Sequence, residues 1–236
     1  MSFSNQAYES PRWNIAADAN ATDRADFITK TYMHLVAAIG AFAILEVILL
    51  NSPVAASLTG LVGAGSGWLL FLGLFMVVSW IARGWASSST SLGMQYAGLS
   101  LYVVAQAILF VPLLYIASQY EDVIPSAGLS TLGLFAALTA VVFMTRQDFS
   151  WMRSILWFGG LAALGLIVCA VIFNFALGAI FTYAMIALAC GYILYDTSNV
   201  LHHYRIGQHV AASLALFASV ALLFWYIVRL FMSSRD

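Results

Sequence analysis

Tyr192, Asp196, Asn199 and His203, within the stretch GYILYDTSNVLHHY, recur at spacings of four, three and four, so a helix would carry them on one face. A phenol, a carboxylate, an amide and an imidazole in one stripe form a polar surface able to attract a cation or exchange a proton. The setting makes the acid costly, because an ionisable group at bilayer depth costs roughly 3 kcal/mol on insertion scales. Two readings stand. In one, Asp196 is a proton-sensing or cation-attracting acid at the inner mouth of a helix bundle. There desolvation favours the neutral carboxyl and a nearby arginine the ionised one. In the other, it is a solvated acid at a helix end whose side chain reaches water. Capping does not account for it, since a negative charge near a helix carboxyl terminus opposes the dipole.

Other polar residues offer less. His202, His203 and His209 match no standard ligand spacing and read as interfacial groups rather than a metal site. Glu46, in AILEVILLN, sits near the outer end of the first apolar run. It is a candidate outer-mouth acid, or a side chain that snorkels towards Asn51. His34 and Gln106 read as hydrogen-bonding groups between helices. Cys169 and Cys190 fall within apolar runs and behave as small hydrophobes. There is no HExxH, and Ser66 has no histidine placed to activate it. The only lysine, Lys30, precedes the first span, which excludes a retinal Schiff base in the last helix. With no nucleophile–base constellation the chain reads as a non-enzyme without a cofactor.

The elements that must position these residues follow from composition. Of 236 residues, 63% are hydrophobic and 8% charged, against roughly a quarter charged in soluble domains. A net charge of -1 with few basic residues argues against nucleic acid. A span needs about 20 apolar residues, and seven stretches qualify: Thr31–Leu50, Gly67–Ala82, Leu92–Ala117, Ala127–Thr145, Ser154–Phe173, Leu177–Leu201 and Val210–Met232. The segments Asn51–Ser66 and Gln119–Ser126 read as loops, and residues 1–25 as a flexible tail before a single domain over 26–236. Arg12, Arg24, Lys30, Arg83, Arg146, Arg153 and Arg205 all fall on the side of the amino terminus, so that terminus is expected in the cytoplasm. The fold class is therefore an all-α integral membrane protein.

FITKTYMHLVAAIGAF, FMTRQDFSWM and ILYDTSNVLH together resemble the Bax inhibitor-1 family over roughly residues 26 to 236, with the bacterial YccA-like branch as the nearest fit. The most specific pieces are YDTSN at Tyr195–Asn199 and TRQDFS at Thr145–Ser150. The resemblance implies six helices around a central seventh, in the inner membrane. It implies two activities: modulation of the membrane-bound ATP-dependent protease FtsH through the amino-terminal tail, or a pH-sensitive calcium leak. In leak-competent relatives two aspartates share a proton, and an arginine latches the first. Asp196 matches the first aspartate, and Arg83 is the candidate latch. Alignment on Arg229 puts Ser219 where the second aspartate is expected. A single carboxylate gives a hard cation few ligands, so only weak Ca²⁺ binding is expected. Asn199 and His203 complete the candidate ion- and proton-sensing set.

Overall fold

The computed structural model describes residues 15–63, 67–88 and 91–235. Its elements are α1 (Ala21–Leu50), α2 (Pro53–Gly63), α3 (Gly67–Ala86), α4 (Leu92–Ala117), α5 (Val123–Thr145), α6 (Met152–Ile172), α7 (Ala179–His202) and α8 (His209–Ser233). Seven of them, all but α2, are long and apolar enough to cross a membrane. The odd number puts the two ends of the bundle's chain on opposite faces. One face carries the start of α1 and the α3–α4, α5–α6 and α7–α8 connections; the other carries α2.

Helix boundaries depart from the apolar runs where polar residues are themselves helical. The first helix starts ten residues before Thr31, at Ala21, because Asn20 caps it by accepting from the Asp23 N–H at 2.8 Å. Lys30 then pairs with Asp26 one turn earlier at 2.7 Å. Hydropathy marks where the bilayer begins, not where the helix does. The stretch Asn51–Ser66, read as a loop, is helical over Pro53–Gly63, with proline at the first position, where its missing N–H costs nothing. Ser66 lies outside the described residues, as do residues 1–14 of the tail. Ile15 is bridged to Arg205, and the Ala16 N–H donates to the Tyr204 carbonyl at 2.8 Å, so the chain enters α1 docked on the α7–α8 turn.

The last helix is the axis of the bundle. It packs on α1, α3, α4, α5 and α7, while α6 packs chiefly on α7. In their most apolar stretches α8 and α4 are 67% and 61% buried, whereas no other span exceeds 33%, so these two form the core and the rest face lipid. Leu216, Leu223 and Val228 of α8 are fully enclosed. Close approach of α3 and α4 depends on Gly98: a Cβ there would collide with the Ala86 nitrogen and the Ala82 carbonyl oxygen.

Candidate functional site

Asp196 stands on α7 about 9 Å of helix rise from that helix's end, and Ser219 about 15 Å into α8. The serine hydroxyl, 6% exposed, donates to Asp196 Oδ2 at 2.5 Å. The structure thus brings together the two positions that register alone had aligned, and the acid meets a hydroxyl where a second carboxylate was in question.

Arg83, at the end of α3, does not pair with Asp196. Among the described residues the two ion pairs are Lys30–Asp26 and His203–Asp148. The Arg83 guanidinium instead donates to the Tyr102 hydroxyl at 3.3 Å and lies 5.2 Å from that ring's centroid, a cation–π arrangement with α4. Its charge is still felt locally. Burial, with Asp196 adding to it, pushes the Tyr204 phenol well above its ordinary value, and Arg83 opposes the shift. Acid, arginine and Tyr204 therefore share one electrostatic neighbourhood at the basic end of the bundle.

A cavity of about 490 Å³ begins there, walled by α3, α4, α6, α7 and α8. Arg83, Tyr102, Gln106, Tyr192 and Ser219 give its polar end; Asp196 stands behind Ser219 and does not line it. Towards the opposite face the lining turns mostly apolar, with Leu72, Ile167 and Met185 beside Tyr226, and the indoles of Trp68 and Trp225 stack there at 5.7 Å. Tyr192 spends its hydroxyl on the Leu156 carbonyl of α6 at 2.8 Å.

The stripe anticipated from spacing is broken at its last member. The helix stops at His202, and His203 turns away towards the α5–α6 loop, where its Nε2 lies 3.0 Å from Asp148 Oδ2. Helical periodicity cannot carry a side chain past the end of its helix. Asn199 closes that end through its carbonyl, which accepts from the His203 and Tyr204 N–H groups at 2.9 and 3.0 Å. The two motif segments meet here. Ser198, fully buried, accepts from the Phe149 N–H at 2.9 Å and donates to the Gln147 carbonyl at 3.3 Å. Burial alone would raise the Asp148 carboxyl, but the Ser150 N–H and His203 outweigh it and hold the group below its ordinary value. Sequence reasoning had not joined Ser198 to this loop, although TSN and QDFS carry the donors and acceptors that a pinned loop requires.

The remaining candidates lie apart from Asp196. Glu46 is 5% exposed and neither carboxylate oxygen has a hydrogen-bond partner; Asn51 donates instead to the Val47 carbonyl at 2.8 Å. His34 bonds Tyr96 at 3.1 Å and lies 5.0 Å, ring to ring, from His209, linking α1, α4 and α8 near the amino-terminal face. Gln106 lines the cavity with its Oε1 unpartnered.

Comparison with known proteins gives a family model described as "Inhibitor of apoptosis-promoting Bax1" over residues 24–236. The chain is 34% identical to Bax inhibitor 1 of Schizosaccharomyces pombe over 46% of this chain and 41% of that protein. It is 29% identical to Protein LIFEGUARD 4 of Arabidopsis thaliana over 59% of this chain and 58% of the relative. It is 26% identical to the uncharacterized protein PA2604 of Pseudomonas aeruginosa, over 68% of this chain and 70% of the other. The chain spans about half the length of the first curated relatives it matches.

Proposed function

The chain belongs to the Bax inhibitor-1 family of membrane proteins, and from that premise we propose that it is a membrane-embedded regulator that works by binding rather than by conduction. The observation that carries this reading is the Ser219–Asp196 bond. A leak gate of the kind the resemblance suggests needs two acids competing for one proton, and here the acid is matched with a neutral donor. The largely apolar far half of the cavity supports the same reading, because a hydrated ion crossing it would meet few oxygens to replace its water beyond the Tyr226 phenol.

The partner proposed is FtsH, reached through the amino-terminal tail on the cytoplasmic side of a bacterial inner membrane. The position of Ile15 supports this: its bridge to Arg205 holds the chain at the α7–α8 turn, between the end of α7 and the start of α8. Co-reconstitution of the full chain with FtsH and a membrane substrate tests the proposal. The full chain slows degradation, and deleting residues 2–14 restores the rate while the melting temperature holds. Unchanged degradation with the full chain would defeat the regulator reading.

A pH-sensitive calcium leak is the second reading, favoured by the position of Asp196 behind the polar rim that Arg83 and Ser219 contribute. Calcium uptake into liposomes from about pH 6 to about 8, abolished by Asp196→Asn, would establish it. No uptake by folded protein would remove it.

A further inference from the structure

We propose that the cavity between α3, α4, α6, α7 and α8 binds one long-chain fatty acid, its chain along the apolar walls and its carboxylate against Arg83. Size sets the first limit. At roughly 30 Å³ for a small heavy group, the figure for water in the liquid, about 490 Å³ holds about 16 non-hydrogen atoms, a single acyl chain. A partner helix, about 10–12 Å across, would exhaust that space within one turn, and a diacyl lipid could seat only one of its chains.

Polarity sets the direction of the guest. Arg83, Tyr102, Gln106, Tyr192 and Ser219 gather at one end, and the apolar lining runs from there to the Trp68–Trp225 stack. Arg83 is a cation in no ion pair among the described residues, and its guanidinium suits a carboxylate through two parallel N–H donors. Asp196 accepts from Ser219 and stays outside the lining, so it does not stand between Arg83 and the cavity.

Gln106 supplies an independent sign of a missing guest. It is 6% exposed, it lines the cavity, and its Oε1 has no partner. A buried amide left unsatisfied is costly, and the two ends of an amide exchange by a flip. A headgroup relieves it either way, by accepting from Nε2 as a carboxylate or by donating its O–H to Oε1 as the acid. A lateral route fits the packing, since α3 leans on α2, α4 and α8 and α6 chiefly on α7, which leaves these two flanks of the cavity with little contact between them.

The test is binding of radiolabelled palmitate to the full chain in phosphatidylcholine nanodiscs, with empty discs as the blank. Saturable binding at one per chain is expected. Methyl palmitate, which lacks the charge, should compete at least about tenfold less well, a free-energy difference near 1.4 kcal/mol. Arg83→Gln should weaken binding by a similar factor, and Leu164→Trp, which fills the cavity from α6, should abolish it. Uptake no greater than in empty discs overturns the proposal, as does methyl palmitate competing equally on the unaltered protein, a result independent of any variant's folding. So does native mass spectrometry that finds an intact phospholipid in place of palmitate.

Discussion

The Ser219 hydroxyl on the central helix α8 donates to Asp196 Oδ2 on α7 at 2.5 Å, tying the bundle's axis to the helix with which it shares its basic end. Removing the donor leaves a partly buried carboxylate short of a bond, at a cost of about 1–3 kcal/mol. Ser219→Ala should therefore lower the melting temperature in detergent. Ser219→Asp is the sharper probe, since two carboxylates at that separation share one proton. That variant should show a melting temperature that depends on pH more steeply than the parent's, and calcium uptake if a pathway exists. A pH profile for Ser219→Asp no steeper than the parent's would mean the two positions separate when both are acidic.

Ser198 both accepts from Phe149 and donates to Gln147, so one hydroxyl pins the α5–α6 loop onto the end of α7. Ser198→Ala should cost about 1–2 kcal/mol and, more tellingly, free the loop. Hydrogen exchange at the Phe149 amide should accelerate while amides in α8 keep their protection. Equal acceleration in both places would make Ser198 a core residue rather than a pin.

Seven spans were legible because a bilayer demands long apolar runs, and Leu92–Ala117 matches α4 at both ends. Ser219 was within reach for a different reason: the resemblance could be aligned on Arg229, ten residues further along the same helix, and a continuous helix keeps the count. What stayed hidden depends on neighbours. Nothing in the run LGMQYAGLSLYVVAQAILF reveals that Gln106 points into a space shared with α6 and α7. The turn that takes His203 from Asp196 to Asp148 is a property of where α7 stops, which periodicity does not encode. Helix α2 was missed because eleven residues are too few to span and carry no charge to betray an amphipathic face.

Asp148 gives a pH dependence of known sign. Its carboxyl is held below the ordinary 3.8, so it contributes stability that is fully present above that value and is lost as pH falls through the lowered one. The pair with His203 is solvent-exposed, 47% and 44%, so screening limits the effect to below about 1 kcal/mol. Acid unfolding of Asp148→Asn should accordingly show a shallower loss of stability below about pH 4. High salt should shrink the difference between variant and parent. A steeper acid limb in the variant would contradict the assignment.

Gly98 is the place where one added methyl should do most harm. Its Cβ would meet backbone atoms of Ala82 and Ala86, which cannot rotate away, so α3 and α4 must part. Gly98→Ala should destabilise by about 1–3 kcal/mol, the range for overpacking. Because Arg83 lies on the same stretch of α3 and reaches Tyr102 of α4, the variant should also disturb that contact. Palmitate binding and melting temperature should fall together. The same change at Gly73, whose Cβ meets nothing within 4 Å, should leave both unaltered.

Glu46 presents the opposite problem, a group whose removal should help. Both of its oxygens are buried without a partner, an arrangement that favours folding in neither protonation state. Replacing a buried ionisable group by an apolar one of similar volume is often neutral or stabilising by about 1–4 kcal/mol. Glu46→Leu should therefore raise the melting temperature, with Glu46→Gln between the two because it keeps one unsatisfied amide. A stable variant that loses the effect on FtsH or calcium would show that the acid is retained for function at the expense of stability. A fall in melting temperature for Glu46→Leu would instead mean that Glu46 holds water or a cation in the folded bundle. That outcome would move the search for an ion site to the end of α1 opposite Asp196.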